Sequence, residues 1–141
     1  GGAGEFRGGL GVEKLYRITG PCRVNLKVDR TKCPPWGLRD GGAALPADLE
    51  INRSSGEVLR VFKGQYPLFP GDVLKIASGG GGGYGHPWKR AIERVEEDVR
   101  LGYVSLDAAG DVYGVILNAH GVADVEASTK QREFLAKGAS S

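Results

Sequence analysis

The sequence predicts an α+β domain. An antiparallel β-rich part covers residues of about 10–77, and short helices, one late strand and a C-terminal helix follow. Three observations carry this prediction. Cys22, Val24, Leu26 and Val28 alternate with Arg23, Asn25, Lys27 and Asp29, the period of a half-buried strand. The turn-rich Arg53-Ser54-Ser55-Gly56 joins two apolar runs as a hairpin connection does. Ile92, Val95 and Val99 recur at helical spacing among Glu93, Arg94, Glu96, Glu97, Asp98 and Arg100.

Taken in order, residues 1–11 are glycine-rich, with Phe6 and Arg7 standing out, and residues 12–18 form a strand whose apolar face Lys14 interrupts. The alternating strand starts at Pro21, and Pro34-Pro35 prevents its continued pairing. Cys22 shares the phase of its apolar residues, which predicts a buried thiol. Residues 29–47 are a long irregular segment of the kind that is functional or interfacial, and Trp36 in it is either an anchor on a neighbour or a lid on the local core. The hairpin pairs residues 49–51 with 58–62, Tyr66-Pro67-Leu68-Phe69-Pro70 is a proline-locked crossing, and residues 72–76 are a further strand. The helix through Val95 stops at Gly102, Ser105 caps a short helix to about Asp111, and residues 112–117 read as the final strand. Asp124 precedes an amphipathic helix over about 125–137, and the acidic run in the 90s reads as a solvated helix face. The whole forms one domain over 1–141, β-rich with glycine loops over 1–90 and a helical tail over 91–137.

Composition narrows the function. Nineteen basic against seventeen acidic residues leave a formal charge of +2, too little for an electrostatic footprint on nucleic acid or an anionic membrane. No apolar run approaches a membrane span. Cys22 and Cys33 are too few for a disulfide scaffold, and with His86 and His120 they lack metal-ligand spacing, so no metal is assigned to this chain. A reduced, cytoplasmic compartment fits this cysteine usage. The absence of methionine and the glycine-rich start suggest a part of something larger.

The five consecutive glycines Gly79, Gly80, Gly81, Gly82 and Gly83 are the outlier. Glycine loses the most entropy on ordering, so such a run is either a floppy linker or a place of close backbone approach. A strand precedes it, and Tyr84, His86-Pro87 and Trp88-Lys89-Arg90 follow, unlike a Gly/Ser linker. The run therefore reads as a close-approach loop held by another chain, or as a nest of N–H groups for an anion. It is not a phosphate-binding Gly-x-x-x-x-Gly-Lys-Ser/Thr loop, nor a dinucleotide fingerprint. His86 is a weak candidate for general acid or base, set against a packing role. No nucleophile, base and orienting group can be assembled from two histidines.

Four segments in order then carry a resemblance. They are Phe6-Arg7-Gly8-Gly9-Leu10-Gly11; Asp29-Arg30 with Pro34-Pro35-Trp36-Gly37-Leu38 and Gly41-Gly42; Gly71-Asp72 leading through the glycine run to Tyr84-Gly85-His86-Pro87 and Arg90; and Asp98-Val99, Gly102-Tyr103-Val104-Ser105 and Tyr113-Gly114-Val115. As an ordered set they resemble the C-terminal module of the hydantoinase B/oxoprolinase family, from Gly1 to about Arg132. His86 stands where the family pattern has Asp, Ala91-Ile92 replaces an Asp-Pro type entry, and Arg39-Asp40 varies the loop.

The resemblance implies a small subunit of a multisubunit ATP-dependent hydantoinase/carboxylase complex, inactive alone. It would complete a large hydantoinase-B-like chain that works alongside hydantoinase-A-like, ATP-using subunits. It implies carboxylation of a ketone such as acetophenone or acetone, with ATP and a divalent metal on partner subunits and no cofactor on this chain. Hydrolysis of an amide ring, as by a hydantoinase or 5-oxoprolinase, is the alternative within the family. An independent phosphate-binding module is another, and a single-strand nucleic-acid platform of Tyr84, Trp88, Lys89 and Arg90 is opposed by the near-neutral charge. The residues expected to meet ligand or partner are the five glycines, Tyr84, Arg7, Arg30 and Trp36, with the two arginines placed to pair with carboxylates.

Overall fold

In a computed structural model, which describes residues 1–138, the chain runs β1 (Glu13–Arg17), β2 (Cys22–Leu26), β3 (Asp48–Asn52), β4 (Val58–Arg60), β5 (Gly64–Leu68) and β6 (Val73–Ala77) before its helices begin. β1, β6, β3 and β4 lie in that order in one antiparallel sheet, and β2 pairs with β5 as a separate ribbon. Leu26 and Leu68 of the ribbon pack with Leu49, Ile51 and Leu74 of the sheet and with Val61, so the two layers share one apolar core. The alternation in β2 serves this packing. Its partner β5 tolerates Pro67 because a two-stranded ribbon leaves an open edge for a residue without an N–H. The proline-locked crossing expected there is thus partly strand.

The expected hairpin is β3–β4. Gly56 lies at φ +91° in its turn, and the Gly56 amide donates to the Arg53 carbonyl at 2.9 Å. Asp72, fully buried, ties this turn to the one before β6. Its carboxylate accepts from the amides of Phe69 and Ser54, both at 3.0 Å, and from Arg53 Nη1 at 2.7 Å. The Phe69 and Ser54 amides, with Arg53 behind them, hold its pKa below the ordinary carboxylate value.

The helical part begins with a single 3-10 turn at Pro87–Lys89 and continues as α1 (Ile92–Arg100), α2 (Leu106–Asp111), β7 (Ile116–Leu117), β8 (Ala123–Asp124) and α3 (Val125–Gly138). Gly102 at φ +73° ends α1, Ser105 Oγ accepts from the Ala108 amide to cap α2, and Asp124 Oδ1 accepts from the Ala127 amide to cap α3. A second core gathers Val95, Val104, Ala109, Tyr113 and Val115, with Ala3 packed against it. No helix among the described residues is long and apolar enough to cross a membrane.

Three expectations need correction. Cys22 is exposed: it keeps its inward phase but lines an open apolar cleft of about 290 Å³ with Tyr16, Leu68 and Leu74. The strand expected over 112–117 shrinks to Ile116–Leu117, because Gly114 at φ +62° turns the chain and the helical core, not a sheet, buries Tyr113 and Val115. The acidic run is not all solvated, since Asp98 is only 5% exposed.

Candidate functional site: a glycine bundle and its carboxylate latch

The glycine run lies between two other glycine-rich segments of the same chain. On one side the Gly81 amide donates to the Gly9 carbonyl and the Gly2 amide to the Gly81 carbonyl, both at 2.8 Å. On the other, the Leu38 amide donates to Gly83 and the Gly83 amide to Gly42, both at 2.9 Å. The Gly42 amide closes the triangle on the Ala3 carbonyl at 2.6 Å. Each segment thus bonds the other two, and the ordering cost of the glycines is offset by hydrogen bonds between extended backbones.

At five of these positions only glycine fits. A Cβ at Gly2 would run into the Gly42 carbonyl oxygen, one at Gly8 into Gly81, one at Gly41 into Gly83, one at Gly82 into Trp36 and one at Gly83 into Ala3. In each case the obstacle is backbone, which cannot swing aside as a side chain can. The close approach foreseen for residues 79–83 is therefore real, and the backbone that makes it belongs to this chain rather than to another.

A carboxylate locks the bundle to the helices. Arg7 forks onto Asp98, with Nε to Oδ2 at 3.2 Å and Nη2 to Oδ1 at 3.3 Å. Arg90 approaches the same Oδ2 through Nε at 3.1 Å and Nη2 at 2.9 Å, and its Nη1 donates to the Glu5 carbonyl at 3.0 Å. Arg132 on α3 donates to the carbonyls of Arg90 and Tyr113 at 2.8 and 3.1 Å. The Arg7 guanidinium also lies 5.1 Å from the Tyr103 ring centre. One buried anion between two cations, with further donors satisfied by backbone, is the arrangement in which a buried ion pair holds its geometry. Tyr113 lies beneath, its phenol pushed up by burial.

His86 belongs to the same region. Its Nδ1 accepts the Trp88 amide at 3.3 Å, capping the 3-10 turn, and its ring packs on the Trp88 indole at 4.1 Å between centres. An accepting Nδ1 puts the proton of the neutral ring on Nε2. A cavity of about 440 Å³ beside it is lined by Glu5, Arg39, Asp40, Tyr84, Gly85, His86 and Lys89. Arg39 and Asp40, at φ +49° and +68°, hold the left-handed backbone that non-glycine residues adopt only under constraint.

Arg7, the five glycines, Tyr84 and His86 are thus brought together. The side chains of Arg30 and Trp36 form a separate pair, with the guanidinium 5.2 Å from the indole centre, while the Trp36 carbonyl lies against Gly82; Trp36 is too exposed to be a lid on the core. Asp98 is the residue that sequence reasoning assigned to solvent. Its signal was its spacing, three residues after the buried Val95 and so on the apolar face of α1. Among the described residues, no three His, Cys, Asp or Glu side chains converge as a metal-ligand set.

The bundle's three segments all fall within residues 1–87, which match the family model of hydantoinase B/oxoprolinase. The chain belongs to the hydantoinase B/oxoprolinase family. It is 34% identical over 115 residues to an uncharacterized protein of Methanocaldococcus jannaschii, covering 82% of this chain and 20% of that protein. It is 31% identical to the beta chain of the caprolactamase of Pseudomonas jessenii, covering 94% and 24%. It is 26% identical to the B component of a putative D-/L-hydantoinase of a Pseudomonas species, covering 92% and 22%. This hydantoinase-B-family chain therefore spans a fifth to a quarter of the length of these curated relatives. The crystal structure of the ATP-dependent caprolactamase from Pseudomonas jessenii superposes with a TM-score of 0.75 at 28% identity, over 93% of this chain and 24% of that one. The nucleotide-free structure of acetone carboxylase shares the fold, with a TM-score of 0.61 at 23% identity, over 73% and 18%.

Proposed function

We propose that this chain is one module of a hydantoinase-B-type subunit within an ATP-dependent assembly that opens a cyclic amide. The observation that carries the reading is the 31% identity to the caprolactamase beta chain along 94% of this chain, which reaches only 24% of that protein. A module of that size completes a larger body, and its hydrogen-bonded glycine bundle gives it a defined surface to present. ATP and a divalent metal belong, in this reading, to partner subunits of hydantoinase-A-like and larger hydantoinase-B-like type. In the bundle, the amides of Gly81 and Gly83 are already committed to carbonyls, which weakens the alternative of an anion nest.

Carboxylation of a ketone such as acetone or acetophenone is the second reading, supported by the fold shared with acetone carboxylase. The test is to purify the assembly that contains this chain and supply ATP with a lactam or hydantoin, or with a ketone and labelled bicarbonate. Ring opening coupled to ATP hydrolysis, lost when this chain is left out, is the expected result. Label entering the ketone, with the rings untouched, would replace the amide reading by the carboxylation one.

A further inference from the structure

We infer that the outer face of the glycine bundle, centred on Phe6, Tyr84 and Leu38, is the surface on which the larger hydantoinase-B-type polypeptide docks. This rests on the function proposed above and names the contact through which the module is held. Phe6 pairs with Tyr84 in an antiparallel bridge and Leu38 pairs with Tyr84 in a parallel one, so the three side chains stand in a row on one face. The Phe6 and Tyr84 ring centres are 6.3 Å apart. All three are open to solvent, at 64%, 44% and 58% exposure, and they form a contiguous apolar row of the kind that marks an interaction site.

The row sits on backbone that is hydrogen-bonded and closely packed on both sides. Tyr84 follows the glycine run, Phe6 precedes the latch residue Arg7, and Leu38 bonds both Gly83 and Gly85. Aromatic and aliphatic anchors already fixed in position lose little freedom on association, which is what concentrates binding energy at an interface centre. The margin is charged and mixed in sign: Arg39 and Lys89 line the cavity beside Tyr84 with Glu5 and Asp40, and Lys89 and Arg94 line a second of about 440 Å³ beside Phe6, where Arg94 is paired with Glu97. The occupant is therefore an apolar surface with a polar rim of mixed charge. Its size follows from the relatives, in which the region outside this module is three to four times as long as the module itself.

The test places a photo-crosslinking residue in the chain within its native assembly, as Phe6→p-benzoylphenylalanine and Leu38→p-benzoylphenylalanine, with Leu15→p-benzoylphenylalanine on β1 and Phe134→p-benzoylphenylalanine on α3 as controls. Crosslinked peptides are identified by mass spectrometry. Crosslinks from positions 6 and 38 to hydantoinase-B-type sequence outside residues 1–141 are expected. The variants Phe6→Ser and Leu38→Asp should then weaken association at least tenfold while leaving the thermal melt of the module unchanged. If that polypeptide is present but crosslinks only from positions 15 or 134, this docking face is wrong and the proposed function stands. If no hydantoinase-B-type polypeptide accompanies the chain, both fail.

Discussion

Arg90 meets Asp98 through two nitrogens on a single carboxylate oxygen, while Arg7 forks across both oxygens of the same group. The two arginines come from opposite ends of the bundle, one before and one after the glycine run, and the aspartate comes from α1. Neutralising it leaves two largely buried cations without an anion. Asp98→Asn should cost about 3 kcal/mol of unfolding free energy, read from urea denaturation of the module. Arg90→Ala should cost more than Arg7→Ala, because Arg90 Nη1 ties the distant Glu5 carbonyl whereas Arg7 Nη1 reaches only the adjacent Gly8 carbonyl. An Asp98→Asn variant as stable as the parent would mean that the latch does not hold the halves together.

The glycines of the bundle differ in what a methyl group would meet. At Gly83 a Cβ collides with the carbonyl of Ala3, whereas at Gly9 nothing lies within 4 Å. Gly83→Ala should destabilise by about 3 kcal/mol, at the upper end of overpacking because backbone is struck. Gly9→Ala should be neutral or stabilise by about 0.5 kcal/mol through the unfolded chain. Paired thermal melts of the two variants decide the matter, and equal effects would argue against the bundle.

His86 Nδ1 does for the Trp88 amide what a capping carboxylate would do. His86→Asp should therefore keep the stability of the parent, and His86→Ala should lose about 1 kcal/mol. Nitrogen chemical shifts should report the tautomer with the proton on Nε2 at neutral pH. A proton on Nδ1 would contradict the cap.

Asp72 gives the β part an acid limb. Its folded pKa lies below its unfolded value, chiefly through the Phe69 and Ser54 amides and then Arg53, so the stability it contributes is present above about pH 4 and is lost as pH falls through the folded pKa. Unfolding free energies measured from pH 6 downward should fall more steeply for the parent than for Asp72→Asn. Parallel curves would remove Asp72 as the source.

Much of the fold was legible in the residues because strands and helices leave a period. The alternation ending at Leu26, the hairpin around Gly56 and the stripe through Val95 each follow from one apolar face seeking one core. The bundle was legible only by halves. The run at 79–83 announces close approach, but glycine has no side chain to record a periodicity or a partner, so nothing along the chain says that residues 1–9 and 35–42 are what it approaches. Asp98 was hidden by its neighbours: within an acidic run its charge suggested water, although its spacing from Val95 put it inside. Cys22 failed the other way, since its phase was right but the cleft at that end of the ribbon stays open.

The bundle also constrains how this stretch of gene can drift. Every single-base missense change in a glycine codon introduces a side chain, and at Gly2, Gly8, Gly41, Gly82 and Gly83 the smallest of these already strikes a carbonyl. At those positions a tract that looks like low-complexity filler is as intolerant of missense change as a packed core, with none of the conservative exchanges that let a leucine become a methionine.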